Sequence, residues 1–179
     1  MVYLAYSKPN KCTRAEMSAE GRRLLGVLLE CVGENPDPEL SKDENGRPYI
    51  IGRKDLDFNI SHSDILAVCA LSVGDGRVGV DTESKISAIP PERQKRFAER
   101  YFSEREKEIF FSDPTSFLRI WTAKEAYLKH KGVGIATKLS EAATESLPSN
   151  LKLVLFDTDD HFITLCVESD AEIKVIKNR

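Results

Sequence analysis

Trp121-Thr-Ala-Lys-Glu-Ala-Tyr-Leu-Lys-His-Lys-Gly132 is a helix-forming run with a carboxylate in its apolar stripe. At 100° per residue, Glu125 falls between Trp121 and Lys129, one turn from each, and Leu118 and Leu128 border the same stripe. A carboxylate there is costly unless a cation meets it. Lys129 at i+4 is one candidate cation and a metal ion is another. Asp113-Pro114 opens the helix, and Gly132 and Gly134 end it.

Working upstream, the next charged cluster is Val78-Gly-Val-Asp81-Thr-Glu83. Strand side chains alternate, so Gly79, Asp81 and Glu83 share one face and Val78, Val80 and Thr82 the other. Two carboxylates then point the same way, with Cα atoms roughly 6.5–7 Å apart. Gly79 leaves room for a ligand or a neighbouring backbone. A strand leaving the core into solvent would also carry acids. Glu125 adds a third carboxylate, and three convergent acids suit Mg²⁺, which keeps waters and takes substrate phosphates as remaining ligands. Lys124 and Lys129 would then supply charge for those phosphates. An ordinary Glu125–Lys129 helix pair is the plainer alternative.

Asn59-Ile-Ser61-His62-Ser63 invites a Ser–His hydrolase reading. Adjacent strand residues face opposite ways, however, and no G-x-S-x-G elbow is present. Holding an anion with a hydroxyl, backbone N–H groups and an imidazole fits better. Ser103-Glu-Arg-Glu106 matches a capping box, with Glu106 at the third helical position. Glu106 is therefore a helix cap, a general base, or both.

The flanking segments set the fold class. Val2–Tyr6 reads as a strand and 18–32 as a helix with Leu24, Leu25, Leu28, Leu29 and Val32 on its apolar side. Residues 34–47 read as a loop and 47–51 as an extended edge. The apolar run Ile65–Val73, the turn Gly74-Asp75-Gly76 and the run 77–83 read as an antiparallel hairpin in the core. Helices follow from Pro91 and Ser103. Short helical structure is expected over 139–147 and three strands over 151–156, 162–167 and 172–176. The class is α+β, in two α/β halves with a notional boundary between residues 84 and 85.

Of 179 residues, 41% are hydrophobic and 31% charged, which fits a soluble globular chain. The net charge of −3 argues against a nucleic-acid binder. Lys8, Lys11, Arg14, Arg22 and Arg23 form a local basic excess that an anionic ligand or plain solvent could meet. Cys12, Cys31, Cys69 and Cys166 are widely spaced, and the last three read as small buried hydrophobes in a reducing cytoplasm. No run has the length of a membrane span, so no membrane partner is expected.

Asn-Gly-Arg47-Pro, Phe-Asn-Ile-Ser61-His62-Ser, Val-Gly-Val-Asp81-Thr-Glu83, Tyr-Phe-Ser-Glu-Arg-Glu106 and the Trp121–Gly134 run together resemble the 4′-phosphopantetheinyl transferases, in the order and spacing of the surfactin-synthetase-activating type. The resemblance implies an intramolecular pseudo-dimer that acts as a monomer, with coenzyme A between the halves. It implies that Asp81, Glu83 and Glu125 hold Mg²⁺ and that Lys124 and Lys129 meet phosphates. Arg47, Ser61 and His62 would lie near the 3′-phosphate and adenine, with Arg23 a looser match through Lys11, Cys12 and Arg22. Glu106 would be the base for a serine of an apo acyl or peptidyl carrier protein. Where the family commonly carries lysine, this chain has Arg47.

Overall fold

In the computed structural model, residues 1–9, 13–74, 76–86, 89–133 and 139–176 are described. Strand β1 (Val2–Ser7) leads to helix α1 (Arg14–Cys31), which starts four residues earlier than its apolar periodicity suggests. A second capping box explains this: Thr13 accepts from the Glu16 N–H, and the Glu16 carboxylate accepts from the Thr13 N–H. The segment expected as a loop contains β2 (Leu40–Lys42), paired antiparallel with β3 (Pro48–Ile50). Then come β4 (Leu56–His62), β5 (Ala67–Val73) and β6 (Gly79–Ser84). Helices α2 (Pro91–Tyr101), α3 (Glu104–Ser112) and α4 (Phe117–Lys131) follow, and β7 (Leu151–Asp157), β8 (His161–Glu168) and β9 (Ile173–Ile176) close the chain. Asp113 caps a single 3-10 turn over Pro114–Ser116 that feeds α4. Short 3-10 turns occupy Leu139–Glu141 and Thr144–Ser146.

The expected hairpin between 65–73 and 77–83 is not formed. Strand β5 pairs with β4 on one side and β1 on the other, while β6 pairs with β8 in a separate sheet. The true reversal is at Ser63–Leu66, where the Ser63 N–H donates to the Leu66 carbonyl at 2.9 Å. Ile65 and Leu66 are turn residues, so apolarity overstated the strand. The glycines at 74 and 76 carry the chain across to the second sheet instead of turning it back.

The first sheet runs β4-β5-β1-β9, antiparallel except for the parallel β1–β9 pair, and the second runs β6-β8-β7. The boundary expected at 84/85 falls at the end of β6, and β6 and β9 each join the sheet of the other half. The sheets face each other through Val2, Leu4, Val68 and Ala70 on one side and Val80, Ile163, Leu165 and Val167 on the other. On the outer face of the first sheet, Leu24, Leu25 and Leu28 of α1 pack on Phe58, Cys69 and Leu71. On the outer face of the second, Ala126 and Leu128 of α4 pack near Cys166. The layers are therefore helix, sheet, sheet, helix, each sheet burying both faces. Cys69 and Cys166 are buried as expected, but Cys31, the last residue of α1, is exposed. Cys12, Lys11, Asp75 and Gly134 lie outside the described residues.

Candidate active site

The free edge of β6 meets the edge of β4, and side chains join them. Leu56, Phe58 and Ile60 of β4 pack toward α1, which leaves Asp57, Asn59 and Ser61 on the alternate face. Asp57 accepts from the Val78 N–H at 2.8 Å, and Asn59 accepts from the Val80 N–H at 2.9 Å. One position further along, the Ser61 hydroxyl donates to Asp81 Oδ1 at 2.8 Å. Unpaired edge groups are thus satisfied without a backbone ladder.

From the other side α4 lies directly on β6. A Cβ on Gly79 would stand 2.0 Å from the Ala126 carbonyl oxygen and 2.5 Å from the His130 nitrogen. The room this glycine leaves is taken by the helix backbone. That closeness puts Glu125 and Lys129 over Asp81 and Glu83. Lys129 Nζ sits 2.6 Å from Asp81 Oδ1 and donates to the Ser61 hydroxyl at 2.8 Å.

Three carboxylates and one ammonium therefore share a largely buried place. Asp81 is 5% exposed and Glu125 6%. Burial, more than the charges of Asp81 and Glu125, pushes the Glu83 carboxyl up to about 7, with Lys129 and the Trp121 indole N–H pulling the other way. Burial and the Asp81 charge likewise push Glu125 up to about 7 against the pull of Lys129. Asp81 Oδ2 is buried with no hydrogen-bond partner among the described residues. A divalent cation fits that donor set chemically, because it would meet the orphaned oxygen and relieve the mutual repulsion. Among the described residues, no three His, Cys, Asp or Glu side chains converge as a ready metal-binding group, so phosphate and water oxygens would have to complete one.

Glu106 and Lys124 are brought together elsewhere. Lys124, 0% exposed, donates to Glu106 at 2.7 Å and to the Ala142 carbonyl at 2.6 Å. Glu106, 2% exposed, also accepts from the Ser103 N–H and from the N–H and hydroxyl of Thr144. Burial raises its carboxyl, and these partners, Lys124 foremost, outweigh that and hold it below the ordinary range. Both side chains stitch α3, α4 and the turn at 139–146 together.

Arg47 is also turned inward. Its guanidinium donates to Asp57 at 2.6 Å, to the Val78 carbonyl at 2.8 Å and to the Lys129 carbonyl. Arg77 donates to the Lys131 carbonyl at 3.0 Å, so two cations hold the C-terminal end of α4. His62 is exposed. Arg23 lies on the exposed side of α1 and pairs with Glu20 at 2.7 Å. No Ser–His62 dyad forms: Ser61 belongs to Asp81 and Lys129, while Ser63 meets His161 Nε2 at 3.0 Å. His161, to which sequence reading gave no role, is 0% exposed and meets Asp160 at 2.8 Å through Nδ1. Asp57, Asn59 and the Trp121 indole were also missed. The polar alternation Asp57-x-Asn59-x-Ser61 was the signal available for the first two.

A family model described as the 4′-phosphopantetheinyl transferase superfamily matches residues 77–175, more than half of the chain. The chain belongs to that superfamily. The match takes in β6, α4 and the acids Asp81, Glu83, Glu106 and Glu125. Among curated relatives, the 4′-phosphopantetheinyl transferase HetI of Nostoc sp. strain PCC 7120 is 38% identical over 145 residues, which cover 74% of this chain and 59% of HetI. The 4′-phosphopantetheinyl transferase Sfp of Bacillus subtilis strain 168 is 32% identical over 152 residues, 78% of this chain and 65% of Sfp. The 4′-phosphopantetheinyl transferase AcpT of Salmonella typhimurium strain LT2 is 32% identical over 163 residues, 88% of this chain and 79% of AcpT. The chain thus spans less than two thirds of the length of HetI and of Sfp. No helix among the described residues is long and apolar enough to cross a membrane.

Proposed function

We propose that this chain transfers the 4′-phosphopantetheine group of coenzyme A to a serine of an apo acyl or peptidyl carrier protein, releasing 3′,5′-ADP. The observation that carries the reading is the Lys129–Asp81 ion pair between β6 and α4, with Glu83 and Glu125 near enough for the Asp81 charge to raise their carboxyls, in a chain of this superfamily.

Asp81, Glu83 and Glu125 would hold Mg²⁺, which when bound supplies positive charge against the pyrophosphate of coenzyme A. Lys129, near the surface and joined to Asp81, supplies the second positive charge at that place. The carrier serine attacks the phosphorus bearing the pantetheine arm, its proton passes to water, and 3′,5′-ADP leaves. Catalysis is then mostly positioning and electrostatics. The exposed His62 and, more distantly, Arg23 are assigned to the 3′-phosphate side. The general-base role expected of Glu106 and the phosphate role expected of Lys124 are replaced by positioning. Each Glu106 oxygen already has two donors, and the Lys124 ammonium is spent on Glu106 and Ala142. Arg47 is likewise assigned to holding the end of α4 rather than a phosphate.

The single-chain pseudo-dimer reading draws support from the topology. The order β1-α1-β4-β5 with sheet order β4-β5-β1 is repeated by β6, α4, β7 and β8 with sheet order β7-β8-β6. The site lies at the seam of the two repeats, and such a chain acts as a monomer.

Release of 3′,5′-ADP, followed by chromatography with coenzyme A, Mg²⁺ and an apo carrier, tests the reading. Product is expected with Mg²⁺ and none with EDTA. Product formation in EDTA, or at the wild-type rate by Glu125→Ala, would refute the metal assignment.

A further inference from the structure

Arg47 stands on a short turn that aims it. Asp43 Oδ1 accepts from the N–H groups of Asn45 and Arg47, each at 2.9 Å, and the Asp43 N–H donates to the Arg47 carbonyl at 2.9 Å. The side chain runs inward to β4, β6 and α4 and is 8% exposed. Asp57 Oδ2 accepts from it at 2.6 Å. That same oxygen accepts from the Val78 N–H, while Arg47 donates to the Val78 carbonyl. Both backbone groups of Val78 are thus claimed by one ion pair, in place of a neighbouring strand. The other terminal nitrogen of Arg47 donates to the Lys129 carbonyl.

A closed ring results. Asp57 and Arg47 hold the chain three residues before Asp81 and at Lys129 itself, and the Lys129 ammonium closes the circuit on Asp81 Oδ1 at 2.6 Å. We propose that Asp57 is a positioning residue for the transfer reaction: acting through Arg47, it sets Lys129 against Asp81, an inference that rests on the function proposed above. The chemistry asks for both members of the pair. A planar guanidinium fork reaches a carboxylate and two carbonyls in fixed directions, which a point-like ammonium does not. A buried guanidinium in turn needs a counter-charge, and Asp57 supplies it. The lysine stem is flexible, so where its ammonium stands depends on where its backbone is held. Asn59 caps the Val80 N–H of β6, whereas Asp57 acts, through Arg47, on both walls of the cleft.

The test is a double-mutant cycle with Lys129. Asp57→Asn keeps an acceptor for the Val78 N–H and removes the charge that holds Arg47. In saturated transfer its kcat should fall about 10- to 100-fold, the order that about 1 Å of misplacement costs. The KM for the carrier should hold. In a Lys129→Ala background the same substitution should cost less than about threefold, since the group it positions is gone. Arg47→Gln should follow the same pattern, and Arg47→Lys should regain part of the rate. Equal losses in the two backgrounds would reduce Asp57 to a structural role and overturn the proposal. So would an Arg47→Gln variant that raises only the KM for coenzyme A, the mark of a direct ligand. Urea midpoints identify a variant that folds poorly, in which case Arg47→Lys carries the cycle. Calorimetric titration with magnesium pyrophosphate repeats the cycle without carrier or turnover. Non-additive pyrophosphate affinities in a chain whose wild type transfers nothing would refute the proposed function and sustain the ring. Transfer with an additive cycle would do the reverse.

Discussion

Asp81 is the residue on which the site turns, since one of its oxygens joins Ser61 and Lys129 while the other has no hydrogen-bond partner among the described residues. Its neighbours Glu83 and Glu125 hold their protons up to about pH 7, above the ordinary value of 4.5. A carboxyl whose folded pKa is raised contributes stability fully below its unfolded pKa and loses it as pH rises through the folded one. Metal-free protein should therefore lose stability between about pH 4.5 and 7, by roughly 1–2 kcal/mol in all after solvent screening. Urea midpoints at pH 5.5 and 8 measure this, and Mg²⁺ should raise the midpoint more at pH 8. An equal or smaller rise at pH 8 would contradict the site's charge assignment. The pair Lys124–Glu106 gives a different signature. Lys124→Met leaves a buried carboxylate unpaired and should cost about 3–5 kcal/mol, and adding Glu106→Gln should recover part of it. Additive losses in the double variant would show that the two do not act as a pair. Asp81, Glu83, Glu125 and Lys129 were legible in the sequence because strand and helix periods put each on a defined face. The partner of Lys124 was not, because it depends on where residues 139–144 pack.

At the scale of elements, the contact of α4 with β6 decides the geometry. Gly79→Ala would drive a methyl into the Ala126 carbonyl and the His130 nitrogen, both backbone atoms of a packed helix. A loss of about 3 kcal/mol or more in chemical denaturation is expected, with Lys129 displaced from Asp81. A cost below 1 kcal/mol would mean that the helix is not seated there. Gly132→Ala, at a helix end with φ of 69°, should cost only about 1 kcal/mol by comparison. Helices were the more legible elements, since caps and apolar stripes are local. The strands near Gly74–Gly76 were misread for the converse reason. Whether a turn reverses a strand or sends it to another sheet depends on partners distant in sequence, here β8 for β6 and β1 for β5.

For the whole molecule, the seam between the two sheets is held by side chains where a continuous sheet would use backbone. Asn59→Ala strands the Val80 N–H and should cost about 1–3 kcal/mol. It should also slow any reaction at Asp81 by loosening β6 against β4. Asp57 and Asn59 stood in plain alternation in the sequence, but nothing in their spacing said that they would cap another strand's edge. Two α/β halves were expected, but the β-α-β-β order proposed to repeat in them left no residue-level repeat to read, and the helices α2 and α3 interrupt the second run. The most direct test of the account is the intact mass of an apo carrier protein after incubation with this chain, coenzyme A and Mg²⁺. The account predicts a gain of one phosphopantetheinyl group with wild-type protein and none with Asp81→Ala. An unmodified carrier with folded wild-type protein, or a modified one with the variant at an equal rate, would contradict it.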